Sequence, residues 1–211
     1  MNAIDKLQFI SNQTGGLSHL DSIQIALDAG CKWIQLRVKD KPEDIVIQTA
    51  IDAKQLCDQY EAKLIINDFA HVAKLVNADG LHLGLNDMSI QEARKITGAK
   101  IIIGGTANTL ENVLNRIDEG ADYIGLGPYR FTNTKQNLSP ILGLEGYHSI
   151  MKNLNMQTRQ IPIIAIGGIQ VDDIADLTES GIYGIAVSSL VIQSPDPKEL
   201  VSQIQKTLCS K

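Results

Sequence analysis

Two cations stand at alternate positions in Trp33-Ile34-Gln35-Leu36-Arg37-Val38-Lys39, a run that alternates strictly. On a strand, Trp33, Gln35, Arg37 and Lys39 share one face, and Ile34, Leu36 and Val38 share the other. Charges that face the inside of a fold need an anionic partner, because an unpaired buried charge is very costly. Either a bound polyanion or carboxylates of the fold itself would meet that need. The carboxylates at hand are Asp68 and Asp87, each following a short β-rich run. Singly, an aspartate in such a place reads as a helix cap or a turn former. As a pair on neighbouring strand ends, the two could share one hard cation. Magnesium is the ion that accepts one or two carboxylates together with substrate phosphates. Asn67 could donate its amide to the same anion.

A second anion-binding signal lies in Tyr123 to Lys135, read as YIGLGPYRFTNTK. It starts as a strand-like apolar segment, breaks at Gly127-Pro128 and opens into a loop carrying Thr132, Thr134 and Lys135. Hydroxyls, free backbone N–H groups and an ammonium at the end of a buried strand suit a phosphate-type anion. Gly167-Gly168 and Ser188-Ser189 follow two later strands. A glycine pair alone reads equally well as a tight turn, and the serines after the next strand add weight to a phosphate site. The four histidines are scattered. His82 alternates within an apolar strand and reads as a satisfied core residue; His19, His71 and His148 read as surface. No Ser-His-Asp or Cys-His arrangement assembles, so nucleophilic catalysis is not suggested.

These residues need elements to place them. Strand-like runs recur at Leu7 to Ser11, Trp33 to Lys39, Lys63 to Asn67, Leu81 to Gly84, Lys100 to Thr106, Tyr123 onward, Ile161 to Ile166 and Gly184 to Val187. Helical patterns fill the intervals: His19 to Ala29, Pro42 to about Tyr60, Ala70 to Asn77, Ile90 to Ile96, a helix capped by Thr109 and ending at Gly120, about Leu144 to Leu154, Asp172 to Ser180, and an amphipathic helix entered at Pro197. Ser89 with Glu92 has capping-box spacing. The strands are short and apolar on both faces, as strands of a buried parallel sheet must be. An open doubly wound sheet remains an alternative. Eight βα units in 211 residues, with polar residues after nearly every strand, favour a single α/β domain spanning the chain, a (β/α)8 TIM barrel. Its active-site rim would lie at the C-terminal strand ends.

The bulk properties exclude other classes. An apolar content of 44% supplies a real core, and a net charge of −5 gives no basic footprint for nucleic acid. Cys31, Cys57 and Cys209 match neither a disulfide framework nor a zinc site and read as inert thiols. The N-terminus shows no basic segment leading into an apolar run, and no window reaches transmembrane length, so a cytoplasmic setting without membrane contact is expected.

The motifs QLRVK (Gln35 to Lys39), IND (Ile66 to Asp68), ADGLHLG with NDM (Ala78 to Met88), GADYIGLGP (Gly120 to Pro128), TNTK (Thr132 to Lys135), LGLEG (Leu142 to Gly146) and IPIIAIGGI (Ile161 to Ile169) fall in order at the strand ends. On these the chain resembles the thiamine phosphate synthase family along nearly its whole length. The resemblance implies a Mg2+-dependent transferase that joins hydroxymethylpyrimidine diphosphate to hydroxyethylthiazole phosphate, giving thiamine phosphate and pyrophosphate. It places the pyrimidine diphosphate on Gln35, Leu36, Arg37, Val38, Lys39, Asn67, Thr106 and Lys135, and magnesium on Asp68 and Asp87. It places the thiazole phosphate on Thr132, Asn133, Thr134, Gly168, Ser188 and Ser189. Arg37, Lys39 and Lys135 would neutralise the departing pyrophosphate in a dissociative reaction, which needs no side-chain nucleophile. The chain departs from the family pattern at Leu85, Phe69, Thr106, Asn108 and Arg130-Phe131. The partners expected are small-molecule substrates, and the oligomeric state is left open, a homo-oligomer included. The alternatives are a thiazole tautomerase of the same superfamily, which would need an acid–base histidine near Asn108, and a non-catalytic barrel that binds a phosphorylated metabolite. The stretch from Arg130 to Leu142 is long enough for a lid, with Gly143 as its hinge.

Overall fold

Short runs of isoleucine, leucine and valine, each stopped by glycine or a polar residue, give the chain its strands. The computed structural model describes residues 4–131, 140–154 and 158–209. In order these form β1 (Leu7–Ile10), α1 (His19–Asp28), β2 (Trp33–Leu36), α2 (Glu43–Gln59), β3 (Lys63–Asn67), α3 (Ala70–Leu75), β4 (Gly80–Leu83) and α4 (Ile90–Thr97). There follow β5 (Ile102–Ala107), α5 (Leu110–Asp118), β6 (Tyr123–Leu126), α6 (Gly143–Asn153), β7 (Ile163–Ile166), α7 (Asp173–Glu179), β8 (Gly184–Val187), α8 (Ser189–Ile192) and α9 (Pro197–Cys209). Every strand pairs in parallel with the next and β8 pairs back to β1, so the sheet closes into a (β/α)8 barrel as the alternation predicts.

Alternation along each strand sorts the core into two layers. Ile10, Trp33, Ile65, Ile102, Tyr123, Ile164 and Ala186 pack together in the lumen. Phe9, Ile34, Leu36, Leu64, Ile66, Leu81, Ile103 and Ile124 face the helices in the larger outer layer. The helices begin where their sequence says they should. Ser18 and Ser89 form capping boxes with Asp21 and Glu92, and the Thr109 side chain accepts from Asn112 N–H. Each such cap is worth about 1 kcal/mol. Cys31 and Cys57 are buried free thiols pushed up to about 12 by burial, which leaves them inert at neutral pH.

Two local differences from the sequence reading matter for the site. β2 ends at Leu36, so Arg37 and Lys39 continue the alternation on a loop rather than projecting inward from the strand. Ser188-Ser189 does more than end a strand, since Ser189 opens the short helix α8.

Candidate active site

The ends of β2, β3 and β4 bring the first group of polar residues together. Gln35 points into the lumen, where its amide donates to Gln8 Oε1 (3.3 Å). One residue past the strand, Arg37 N–H turns away from the ladder and donates to the Ser11 hydroxyl at 3.0 Å. That turn carries the Arg37 side chain to a half-buried place where burial works against its charge and Asp68 and Asp40 work for it. Lys39 is more open and forms an ion pair with Asp68. Asp68 follows β3 directly in a left-handed conformation (φ 67°), with its N–H bonded to His82 O at 2.8 Å. Its carboxylate does not cap α3, so the helix-cap reading fails for this residue.

Asp87 closes the turn after β4 by accepting Gly84 N–H on Oδ2 (2.6 Å). The two carboxylates meet at the rim. Burial, and then hydrogen bonding and like-charge repulsion with Asp87, hold the Asp68 carboxyl above the ordinary carboxylate range, against the pull of Lys39. Two acids pressed together, with Lys39 and Arg37 beside them, gather oxygen donors of the kind a hard divalent cation takes. Among the described residues no group of three or more His, Cys, Asp or Glu gathers to hold a metal. Close by, the buried Asn67 Nδ2 has no hydrogen-bond partner among the described residues. A buried amide donor left unmade is expensive in a finished core and reasonable in a ligand site.

The second group comes from the ends of β6, β7 and β8. Gly167 and Gly168 both take positive φ (96° and 70°). A Cβ on Gly168 would stand 2.9 Å from Phe131 O, so glycine here admits the loop that follows β6. That loop is fastened at both ends. Asn108 Nδ2 donates to Gly127 O (2.9 Å) and Pro140 O (2.8 Å), and Leu142 N–H donates to Pro128 O at 2.9 Å. The Arg130 guanidinium forks onto Asp173 (2.7 and 2.8 Å) and reaches Gly168 O at 2.9 Å. Thr132, Asn133, Thr134 and Lys135, with most of the expected lid, lie outside the described residues. Ser188 Oγ is buried with no partner among the described residues, a second orphaned donor on the same rim.

Thr106 completes the constellation from β5. It is half-buried, with Oγ1 3.0 Å from His82 Nε2. The structure therefore brings Arg37, Lys39, Asn67, Asp68, Asp87, Thr106, Gly168 and Ser188 to strand ends on one face of the barrel. Leu36 and Val38, by contrast, are buried in the outer apolar layer. His82 is the satisfied core residue its pattern predicts, while His71 and His148 are exposed. His19 corrects the sequence reading. It is buried against the strand ends, with Nδ1 2.9 Å from Ser11 Oγ, and burial together with Arg37 and Lys41 lowers its pKa to about 4.

Arg116 is a further residue that sequence reasoning missed. Only 6% exposed, it donates to Gly84 O (2.7 Å), Thr106 O (3.3 Å) and Glu119 (2.7 Å), tying the ends of β4 and β5 to α5. The only signal in sequence was an arginine in the last turn of a helix, which ordinarily reads as solvated.

Comparison with known proteins points to one family. Residues 7–191 match the family model described as thiamine monophosphate synthase. A thiamine-phosphate synthase of Flavobacterium psychrophilum is 52% identical over 204 residues, covering 97% of this chain and 99% of that protein. One of Bacteroides fragilis is 50% identical over 198 residues, covering 94% and 97%. Among solved structures, a thiamine phosphate pyrophosphorylase from Pyrococcus furiosus superposes with a TM-score of 0.80 at 32% identity, covering 96% of this chain and 95% of that one. The chain belongs to the thiamine monophosphate synthase family.

Proposed function

We propose that this protein is a thiamine phosphate synthase, a transferase that couples hydroxymethylpyrimidine diphosphate to hydroxyethylthiazole phosphate and releases pyrophosphate. The observation that carries the reading is the meeting of Asp68 and Asp87 beside Lys39 and Arg37, with the Asn67 amide unpartnered among the described residues. Such a rim is built for a diphosphate delivered with a cation. Gln35, Arg37, Lys39, Asn67, Thr106 and Lys135 form the pyrimidine diphosphate site, with Leu36 and Val38 supplying only the backbone between the first three, since their side chains are buried in the outer layer. Arg37 and Lys39 oppose the charge that grows on the leaving group, and Asn67 donates its free amide to it. Asp68 and Asp87 are the residues that would hold Mg2+, whose contribution when bound is to neutralise charge on the diphosphate oxygens. The thiazole phosphate takes the opposite side of the mouth, on Gly168, Ser188 and Ser189, together with Thr132, Asn133 and Thr134.

Once the carbon–oxygen bond to the diphosphate breaks, the pyrimidine-methyl cation is captured by the thiazole nitrogen. Catalysis then consists of positioning and leaving-group stabilisation. No general base is required. Asn108 fits this reading better than tautomerisation, because its amide is already committed to two backbone carbonyls. The test is to incubate purified protein with both phosphorylated precursors, with and without Mg2+, and to measure thiamine phosphate and pyrophosphate. Equimolar formation of both supports the reading. Isomerisation of the thiazole without coupling, or binding without turnover, refutes it.

A further inference from the structure

The lumen holds a polar chain that links two residues of the proposed diphosphate site, Gln35 and Thr106. It crosses from β1 and β2 to β5 through four side chains that are each at most 5% exposed: Gln35, Gln8, Tyr123 and His82. Gln35 Nε2 donates to Gln8 Oε1 at 3.3 Å, and Gln8 Nε2 donates to the Tyr123 hydroxyl at 3.4 Å. Tyr123 OH lies 3.0 Å from His82 Nδ1, and His82 Nε2 lies 3.0 Å from Thr106 Oγ1.

The sequence makes room for this chain deliberately. A Cβ at Gly104 would stand 2.1 Å from Tyr123 Cζ, and one at Gly125 would stand 3.0 Å from His82 Cε1. Trp33 then holds the Tyr123 ring edge-on, with centroids 4.9 Å apart and planes at 71°. Both rings are thus fixed in place by steric contact.

We propose that Tyr123, acting through His82, sets the Thr106 hydroxyl as a hydrogen-bond donor toward the diphosphate substrate. A tyrosine hydroxyl has a single proton. Its oxygen already receives both the Gln8 and the Gln35 amides, which fill its acceptor capacity, so that proton goes to His82 Nδ1. With Nδ1 accepting, the ring carries its proton on Nε2, and Nε2–H donates to Thr106 Oγ1. Thr106 then has its own proton to give, and β5 ends at the rim. Reversed, the chain would have Thr106 donate inward to Nε2 and present lone pairs to an anion. A phosphate oxygen accepts hydrogen bonds, so only the first ordering suits it. Tyr123 and His82 are positioning residues in this scheme. The inference rests on the reading above that Thr106 faces the diphosphate.

Two experiments test it separately. Ring nitrogens of ¹⁵N-histidine-labelled, ligand-free protein report the tautomer by NMR, and His82 is identified among the four histidines by signals absent from H82Q. The Nε2–H form with a bare Nδ1 is expected; the Nδ1–H form overturns the ordering without any appeal to catalysis. In steady-state kinetics, Tyr123→Phe is expected to raise KM for the pyrimidine diphosphate about tenfold while leaving KM for the thiazole phosphate unchanged. The same substitution in a Thr106→Val background is expected to add nothing. An equal effect in both backgrounds overturns the coupling. A Thr106→Val enzyme with wild-type constants overturns the placement of Thr106, which is the underlying reading rather than the relay.

Discussion

Replacing Arg116 by methionine should lower both stability and affinity for the divalent cation. The substitution keeps the apolar stem that packs over Gly105 and removes the guanidinium. Three hydrogen bonds from a charged donor are lost, to Gly84 O, Thr106 O and Glu119. Bonds of this kind contribute about 1.5–3 kcal/mol each when their acceptor is left dry. Here Glu119 keeps 29% of its side-chain exposure and both carbonyls belong to half-buried residues, so water recovers part of the loss. A net cost of about 3 kcal/mol follows, which for a chain of this size is a fall in Tm of roughly 6–12 °C. The functional effect travels one step further. Gly84 N–H is the group that Asp87 grips, and Arg116 holds the carbonyl of the same residue. With that anchor gone, the Mg2+ concentration for half-maximal activity should rise about tenfold or more, as when the support of a metal ligand is removed. Urea denaturation and Mg2+-dependent rates on R116M would check both halves. Stability within 0.5 kcal/mol of wild type (about the scatter of surface substitutions) would refute the packing argument. A normal Mg2+ response in a destabilised variant would refute the link to Asp87.

Other expectations concern separate parts of the fold. His19 has its pKa lowered in the folded state, so the unfolded chain takes up the proton first as pH falls. Its contribution to stability is therefore whole above about pH 6.5 and is lost progressively toward pH 4. It amounts to at most about 3 kcal/mol, less to the degree that water screens the ring. H19Q should lack that part of the acid sensitivity, and parallel urea titrations of the two proteins at pH 7 and 4.5 would show it. N108D would set a carboxylate against the Gly127 and Pro140 carbonyls in place of a donor, at a cost of about 2 kcal/mol or more; thermal melts showing no loss would contradict the clamp. Gly104→Ala would drive a methyl into the Tyr123 ring, for about 1–3 kcal/mol of overpacking, and an unchanged melting temperature would mean the ring has room to move.

The barrel was legible because its signals are local. Lys63–Asn67 and Gly184–Val187 read as strands to the residue, and the Ser89–Glu92 capping box announced α4. The rim residues were legible because polar side chains after buried strands have few structural reasons to be there. What escaped depends on contacts distant in sequence. Alternation through Lys39 cannot reveal that Arg37 N–H leaves the ladder for Ser11, 26 positions away. His19 looks like any polar residue opening a helix until the end of β1 is folded over it. Arg116 lies on the polar side of an amphipathic pattern, and only the approach of Gly84, 32 residues earlier, makes it an internal tie. Tyr123 read as apolar bulk in a strand, since its hydroxyl partners come from β1 and β4.

The central claim is that Asp68 and Asp87 form the cation-binding half of a diphosphate site. Pyrophosphate release from the two precursors, measured against Mg2+ concentration in the wild type and in Asp68→Asn, tests it most directly. The account predicts saturable activation in the wild type and its near-complete loss in the variant, which keeps its fold and is no less stable without metal because a buried repulsion has been removed. Superimposable activation curves for the two proteins would contradict it.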